Sequence, residues 1–486
     1  MKKLILIFTA AVMAVSCSDN IEELNKNIKD PTAVPGEFVF ASAQKQLADQ
    51  ITTPSVNFNN LRLWTQQLQE TTYLDESQYD QITRPIPANH WREIYRDVLK
   101  DLNEAAKIID ATDSDLTNAL KPNKLAIVEV LTVYSYANLV ETFGNVPYTE
   151  SLDIENLTPA YDDALTIYKN LLVRLDTAIG NMNTGVGSFT SGEDLMYAGD
   201  VAHWKKFANS LKLRMGIILA DVDGGLSQST VESAVSSGVF TSNADNGSYQ
   251  YSPTAPNNNP MNNNLVLSGR NDYVAGKTIV DIMNGLEDPR RENYFTDVDG
   301  VYIGGTIGEI SAYASFSHVA DRLVDPSEPG VLLAYDEVQF LLAEAAARGF
   351  SVGGDTQSHY DAAITASFDY SGTSDVAAYL AKPEVDYNTA IASSTSTPKW
   401  KMVIGTQAYL GLYNRSFASY LSVRRIDYPI LIKPTGAQSG YPVRYTYPVS
   451  EQTLNEANWI TASSAIGGDA AETKLFWDKN DNTWGF

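Results

Sequence analysis

Residues 123–143 read NKLAIVEVLTVYSYANLVETF, and this stretch decides the fold class. Apolar side chains occupy positions almost all the way around a helix, rather than a single stripe. Gly144 follows directly, at the position where a helix commonly ends. The pattern predicts one long helix that lies buried between neighbouring helices.

Other stretches carry one apolar stripe at helical spacing, which is typical of a helix that packs on one face. They cover residues 91–109, 161–179, 203–219 and 338–345. Antiparallel helix pairs packed in series bury such stripes against one another, as in helical-repeat proteins. Since no fixed period is visible, any repeats are degenerate. The sequence therefore predicts a mainly α scaffold, chiefly over residues 38–221 and 335–368.

Two further regions, residues 238–332 and 369–450, are rich in Asn, Pro, Ser, Gly and Tyr. Segments of this length are either disordered or surface loops that carry function. Their tyrosines favour order, because disordered regions are usually poor in aromatic residues. No linker divides the chain, so we expect one domain over residues 17–486, with long loops and little β structure on one side.

The N-terminus, MKKLILIFTAAVMAVSCSDN, begins with basic residues and continues with an apolar run and small residues before Cys17. The run is too short to span a bilayer comfortably and has the layout of a secretory signal. Cys17 is the single cysteine of the sequence. Its position resembles the lipid-acceptor site of bacterial lipoproteins. We expect residues 1–16 to be a lipoprotein signal peptide and Cys17 to be acylated. The alternative is an ordinary signal peptide cut near Ser16.

The composition is strongly acidic, with 59 Asp and Glu against 35 Lys and Arg and a formal net charge of −24. Such a surface is soluble and repels the phosphate backbone of nucleic acids. We therefore expect no DNA or RNA partner.

The segment GRNDYVAGKT, residues 269–278, resembles a phosphate-binding loop because Gly-Lys-Thr opens an apolar stretch. A phosphate-binding loop needs another glycine at position 271, where this chain has Asn271. The aspartate that could serve as its partner, Asp221, ends a helical stripe instead of a strand. We therefore reject nucleotide binding.

The stretches that match catalytic motifs lack the secondary structure or the residue spacing that those motifs require. The stretch GFSVG, residues 349–353, matches G-x-S-x-G, but a predicted helix precedes Ser351 where a nucleophile elbow requires a strand. The 4 histidines are scattered without the paired spacing of a zinc site, and no EF-hand spacing occurs. We assign no metal-ligating residue and expect no cofactor and no enzyme activity. Two alternatives stay open: a structural calcium in the Asp- and Asn-rich loops, and a surface hydrolase with two facing carboxylates among the 59 acidic residues.

Several stretches, in order, resemble the SusD/RagB family of surface nutrient-binding lipoproteins, and especially its SusD-like branch. They are NIKDPTAVP (27–35), HWREIYRDVLKDLNEA (90–105), ETFGNVPYTES (141–151), WKKFANSLKLRMGI (204–217), GRNDYVAGKTIVDIMNGLEDPR (269–290), YDEVQFLLAEAAARGF (335–350), SYLSVRRIDYP (419–429), and SEQTLNEANW with GGDAAETKLFWD near the end. One departure is Tyr420, which stands where many members carry tryptophan.

The resemblance implies a fold of degenerate tetratricopeptide-like helix pairs with a ligand face of long loops. It also implies a function: a lipid-anchored protein of the outer membrane, facing the cell exterior, that captures oligosaccharides or peptides. Such a protein delivers its ligand to a SusC-like TonB-dependent barrel and does no covalent chemistry. A surface hydrolase and a helical-repeat adhesin without a transport role remain the alternatives.

Individual ligand-binding residues are predicted from the aromatic and amide side chains of the loops. Tyrosine rings together with Asn, Asp and Arg side chains can hold sugar rings or peptides. The candidates are Tyr73, Tyr79, Arg84 and Asn89, which precede the second helix, and Tyr249, Tyr251, Asn258 and Tyr273 in the Asn-rich region. The arginines at 290, 424 and 425 are expected to be buried structural partners of carboxylates.

Overall fold

The computed structural model describes residues 34–113 and 115–479, so the predicted signal peptide and Cys17 lie outside the described residues. Its α-helices, numbered along the chain, are α1 Gly36–Thr52, α2 Leu61–Trp64, α3 Ile86–Arg92, α4 Lys100–Ala111, α5 Asp115–Phe143, α6 Ala164–Asn181, α7 Val201–Ile218, α8 Gly224–Ser237, α9 Pro260–Asn262, α10 Lys277–Gly285, α11 Arg291–Tyr294, α12 Tyr335–Ala347, α13 Thr356–Ser371, α14 Val376–Leu380, α15 Tyr387–Ser393, α16 Trp400–Gly411, α17 Ser416–Ile426, α18 Val449–Leu454 and α19 Glu456–Ala465. A π-helical turn, Glu93–Leu99, joins α3 to α4, and another, Asn263–Leu267, follows α9.

The long helix predicted at residues 123–143 is the second part of α5 and is buried along most of its length. Side chains on different sides of it, including Leu131, Val133 and Leu139, are fully buried. The helix ends where predicted, because Gly144 adopts φ +91°, a left-handed conformation that glycine reaches without steric cost. This part of the prediction is confirmed.

The helices pack in pairs, as the mainly α, tetratricopeptide-like prediction requires. α1 lies against α4, α5 against α6, α7 against α8, and α12 against α13. Aspartates at 163, 200 and 223 cap the first turns of α6, α7 and α8 by accepting hydrogen bonds from backbone amides. None of the helices within residues 34–113 and 115–479 combines the length and the hydropathy that crossing a bilayer requires.

The β structure of the described residues consists of short two-stranded antiparallel ladders and a few isolated bridges, such as the one between Phe295 and Val319. The strands are β1 Leu68–Glu70, β2 Val146–Pro147, β3 Tyr161–Asp162, β4 Gly247–Tyr249, β5 Tyr273–Ala275 and β6 Gly330–Leu333. β1 pairs with β5, β2 with β3, and β4 with β6. Each ladder ties a loop to another part of the chain, so the loop-rich side is ordered, and the prediction of little β structure is confirmed.

The region 369–450 is more helical than predicted, because it contains α14, α15, α16 and α17. α16 packs on α12, α13 and α17 and contributes to a second hydrophobic cluster with Phe340, Ile364 and Trp400. The expectation of a mainly loop-rich region is therefore corrected: the helical scaffold continues to Ile426.

Two of the three arginines that the sequence predicts to be buried partners of carboxylates form such pairs. Arg290 is fully buried and forms a 2.6 Å ion pair with Asp288. Arg425 of α17 pairs with Glu344 of α12, and both side chains are almost fully buried. Removing one member of such a pair leaves an uncompensated charge in the interior, so these contacts belong to the scaffold.

Arg424 differs from its neighbour and corrects the prediction. Its Nη1 donates hydrogen bonds of 2.9 Å to the backbone carbonyl oxygens of Glu141 and Val443. Its guanidinium also lies 3.7 Å from the centre of the Tyr420 ring. Arg424 therefore satisfies the carbonyl at the end of α5 and stacks on the residue that replaces the tryptophan common in the resembled family.

The Gly-Lys-Thr sequence that suggested a phosphate-binding loop has structural roles. A side chain at Gly276 would place its Cβ 2.1 Å from the carbonyl oxygen of Gln66, so only glycine fits. Thr278 Oγ1 donates to Gln66 Oε1 at 2.5 Å, and Lys277 pairs with Asp281 at 2.7 Å. These contacts fix the start of α10 against the loop that leads into β1.

Candidate functional site

The β1–β5 ladder sets the geometry of the candidate site. Glu70 lies opposite Tyr273 at one end of the ladder. Just beyond that end, the amide of Thr71 donates to the carbonyl oxygen of Asp272 at 2.9 Å. The Thr71 hydroxyl also donates to the carbonyl oxygen of Asn271 at 2.7 Å. The segments around Tyr73 and Arg270 are therefore held side by side where the ladder ends.

A first cavity of about 150 Å³ opens at this end of the ladder. The aromatic ring of Tyr73 stands at its edge with 66% of its surface exposed. Polar side chains form the rest of the wall, including Asn57, Arg84, Asn264 and Arg270. An exposed ring beside amide and guanidinium groups can bind a ligand that has one apolar face and a polar rim.

A pair of buried carboxyl groups lies under the first cavity. Glu70 lines the cavity, whereas its neighbour Glu76 does not. Both side chains are almost fully buried. Burial and the nearby Glu76 carboxylate raise the pKa of Glu70 to about 9, so Glu70 is protonated at neutral pH. Arg84 Nε lies 2.7 Å from Glu76 Oε1 and neutralises the carboxylate that remains.

A second cavity, of about 130 Å³, lies on the other side of Arg270, Asp272 and Tyr273, which line both spaces. Its wall includes the rings of Tyr313 and His318, which stack with centroids 4.2 Å apart and planes at 2°. We call the two cavities together the groove.

The Tyr313–His318 stack forms a flat, half-buried platform on the wall of the groove. His318 Nδ1 lies 2.9 Å from the Thr296 hydroxyl, which fixes the plane of the imidazole. Burial lowers the pKa of His318, so the ring is neutral at physiological pH. A neutral platform of this kind can stack against the apolar face of a ligand ring.

Four of the predicted ligand-binding residues are at or beside the groove. Tyr73, Arg84 and Tyr273 line the first cavity, although Tyr273 is buried and its hydroxyl donates to the carbonyl oxygen of Pro54 at 2.9 Å. Asn89 is half-buried, and its amide donates to the carbonyl oxygen of Asn57 at 2.7 Å. Asn89 therefore supports the cavity wall instead of lining it.

The other four predicted residues are in the interior, which corrects their assignment to an exposed ligand face. Tyr79 is 1% exposed, and its hydroxyl accepts a hydrogen bond from Gln66 Nε2 at 2.7 Å. Tyr249 and Tyr251 form a buried edge-to-face pair with centroids 4.9 Å apart. Asn258 is also buried and donates to neighbouring asparagine side chains. Tyrosines in loops become core residues where another part of the chain covers them.

Sequence reasoning missed several residues of the groove. Asn57, Asn264, Arg270 and Asp272 lie in its walls, as does the Tyr313–His318 stack. The Gly- and aromatic-rich composition of residues 297–316 was the available signal for the platform. Polar residues in loops give no such signal.

Within the described residues, neither a cluster of metal-ligating side chains nor the geometry of a nucleophile elbow at GFSVG is present. Within residues 34–113 and 115–479, no group of three or more His, Cys, Asp or Glu side chains is arranged to hold a metal ion. In GFSVG, Gly349 ends α12 with φ +89°, and the Ser351 amide donates to Glu232 at 2.9 Å. His359 lies 2.9 Å from Gln339. The nucleophile elbow is therefore not formed.

Solved structures of SusD homologues share the fold. A chitin-binding protein superimposes with a TM-score of 0.77 at 24% identity, covering 92% of this chain and 100% of that one. A chitin-binding SusD homologue from Flavobacterium johnsoniae gives 0.76 at 24% identity over 93% and 100%. A SusD homologue from Bacteroides uniformis gives 0.76 at 24% identity over 91% and 100%. Similarity at this level of identity establishes the fold alone.

No curated protein sequence matches the chain. The profile of the family SusD-like_2, described as "Starch-binding associating with outer membrane", matches residues 26–448. Because this match covers most of the chain, the protein belongs to the SusD/RagB family as a SusD-like member, and its relatives are outer-membrane-associated binding proteins, not enzymes.

Proposed function

We propose that this protein captures oligosaccharides at the cell surface through the groove and delivers them to a SusC-like TonB-dependent transporter in the outer membrane. The description of its family as starch-binding and the names of two similar structures as chitin-binding support a glycan ligand. The transporter partner follows from the resemblance of the sequence to surface nutrient-binding lipoproteins.

The observation that carries the proposal is the pairing of flat rings with polar groups in the groove. Tyr73 offers an exposed ring at the first cavity, and the Tyr313–His318 stack offers a second flat surface at the other cavity. A sugar ring has an apolar face and a rim of hydroxyl groups. The Tyr73 ring and the Tyr313–His318 stack can each pack against the apolar face of a sugar ring. Asn57 and Asn264 can form hydrogen bonds with its hydroxyl groups.

The groove favours reversible capture. Its cavities are small, and polar side chains border the first cavity and part of the second. Sugar hydroxyls there exchange bonds with water for bonds with protein at little net gain. Most of the affinity should come from the ring contacts. A carrier that passes its ligand on to a transporter needs such modest affinity, because release must be fast.

Attachment to the outer membrane is proposed to depend on an acylated Cys17 after removal of residues 1–16. A multiply acylated N-terminal cysteine supplies the two anchoring signals that stable membrane attachment requires. Mass spectrometry of the native protein should show a lipid-modified N-terminus. Cys17→Ala should release the protein from the membrane fraction, and a variant that stays there would contradict the proposal.

The ligand class is tested on an array that carries both oligosaccharides and peptides. We expect glycans to bind and to be recovered unchanged. Peptide binding alone would replace the glycan proposal by the peptide alternative, and product formation would support the hydrolase alternative. The double variant Tyr73→Ala, Tyr313→Ala should lose binding, whereas Phe38→Ala, an exposed aromatic on α1 outside the groove, should not.

Delivery is tested by co-purification from the outer membrane. We expect the native protein to co-purify with a TonB-dependent barrel, and cells that lack the protein to take up the array-positive glycan more slowly. Normal uptake without the protein would leave a binding role and contradict delivery.

A further inference from the structure

A third cavity, of about 620 Å³, lies directly beyond the groove. Asp321 lines both the second and the third cavity. A short antiparallel pairing connects the two, since the amide of Thr296 donates to the His318 carbonyl at 2.8 Å and Ala320 donates to Tyr294 at 3.0 Å. The backbone that positions the His318 platform therefore also builds a wall of the third cavity.

The guanidinium groups that line the three cavities are already neutralised. Arg270 Nε lies 2.8 Å from Asp272, and Arg322 Nη1 lies 2.8 Å from Glu328. Arg84, at the first cavity, faces Glu76 as described above. An acidic ligand would have to compete with these carboxylates for each of the three guanidinium groups.

The carboxylates of the third cavity, unlike these guanidinium groups, form no salt bridge within the described residues. Glu292, Asp297 and Asp321 line it, and each is exposed. Asp297 accepts a hydrogen bond from the Gly300 amide at 2.8 Å, which fixes its orientation but supplies no positive charge. The third cavity therefore carries unmatched negative charge.

We propose that the third cavity extends the groove as an additional subsite, and that the three cavities together bind glycan chains with neutral or amino-bearing units and reject chains with carboxylate or sulfate groups. This proposal rests on the proposed function and adds the charge class of the ligand. An anionic unit at the third cavity meets three unmatched carboxylates. A hydroxyl or amino group can donate to the same carboxylates, and an ammonium group is attracted to them.

The test is a glycan array with neutral, amino-bearing, uronate and sulfated oligosaccharides of matched length, probed at low and at high salt. We expect neutral and amino-bearing chains to bind and acidic chains to be rejected. The preference for amino-bearing chains should weaken at high salt, because exposed charges are screened. Acidic glycans among the ligands would overturn this proposal and leave the proposed function intact. An array without any bound glycan would overturn both.

Two matched triple variants locate the effect. Glu292→Gln, Asp297→Asn, Asp321→Asn removes the unmatched carboxylates, while Glu104→Gln, Asp110→Asn, Glu384→Gln changes the net charge equally on exposed surface elsewhere. We expect the first to reduce binding of amino-bearing chains about threefold or more at low salt and to change binding of neutral chains little. Equal effects of the two triples would show that net charge, and not the third cavity, selects the ligand.

Discussion

Two loop regions of this protein have similar compositions and opposite roles. Residues 72–84, which we call the groove loop, and residues 249–258, which we call the covered segment, are both rich in tyrosine and in polar residues. In the groove loop, Tyr73 lies beyond the end of the β1–β5 ladder and is 66% exposed. In the covered segment, Tyr251 is 6% exposed.

The difference comes from the chain that lies opposite each ring. A Cβ at Gly330 of β6 would lie 3.0 Å from the Tyr251 ring, so the glycine of the facing strand provides the space that the ring fills. The Tyr251 hydroxyl then donates to Asp49 Oδ1 of α1 at 2.9 Å. Composition sets which loops are ordered, whereas non-local partners decide which tyrosines remain available to a ligand.

The largest effect is expected from Tyr251→Ala. Removing a buried ring and its hydrogen bond to Asp49 should lower the free energy of unfolding by roughly 3–5 kcal/mol. Chemical denaturation measures this loss, and the folded fraction should bind glycan as the wild type does. Tyr251→Phe, which keeps the ring, should be clearly more stable than Tyr251→Ala. Unchanged stability with lost binding would place Tyr251 in the site and remove the contrast between the two regions.

The next effect, taken per pH unit, is a pH dependence at Glu70 of β1, directly before the groove loop. Burial first and the Glu76 carboxylate second raise the pKa of Glu70 to about 9, from a value of 4.5 without these influences. The folded protein therefore holds a proton that the unfolded chain releases at lower pH. The stability that this proton provides is fully present below pH 4.5 and is lost as the pH rises through about 9.

Glu70→Gln tests this dependence because glutamine resembles the protonated carboxyl group. The wild type and the variant should be equally stable near pH 4.5, and the wild type should then lose up to about 1.4 kcal/mol per pH unit relative to the variant. Denaturation across the pH range measures the difference. Glu104→Gln, on the exposed face of α4, serves as the control. A difference between wild type and Glu70→Gln that does not change with pH would show that Glu70 is ionised in the folded state.

A smaller effect is expected from Tyr73→Ala, which is the counterpart of Tyr251→Ala. The exposed ring contributes little to folding, so stability should change by less than about 0.5 kcal/mol. Loss of one stacking surface should weaken glycan binding by up to roughly tenfold. Calorimetry measures the affinity, and Tyr73→Phe should retain it because the ring is kept. Wild-type affinity in Tyr73→Ala would exclude the Tyr73 ring from the site.

Helices with strong periodicity could be predicted from the sequence, and those shaped by tertiary contacts could not. The stripes at 161–179 and 203–219 became α6 and α7 because an apolar stripe needs only a neighbour to pack on. α16 was missed, and it contains Gly405, an unfavourable residue in a helix. A Cβ at Gly405 would lie 2.7 Å from Ile426 Cγ2, so close packing between helices requires the glycine.

The same distinction applies to the site. Tyr73 and Tyr79 are six residues apart in one loop, and no local pattern separates them. Tyr79 is covered by Gln66 and by the ring of Tyr441, which comes from a distant part of the chain. The Tyr313–His318 platform forms across a turn without any regular spacing. The sequence indicated loops that border the candidate site, and the fold determines which of their side chains are exposed there.

The smallest effect is expected at Asn89, whose amide donates to the Asn57 carbonyl and so holds one wall of the first cavity. Asn89→Ala removes one partly solvated hydrogen bond, so stability should fall by about 1 kcal/mol or less. If the bond positions the wall, calorimetry should show a fall in glycan affinity of about twofold to threefold. Asn388→Ala removes a comparable bond to Gln357 on another exposed surface and should leave affinity unchanged. Equal affinities of the two variants would show that the Asn57 wall does not depend on Asn89, and Asn89 would then have no part in the candidate site.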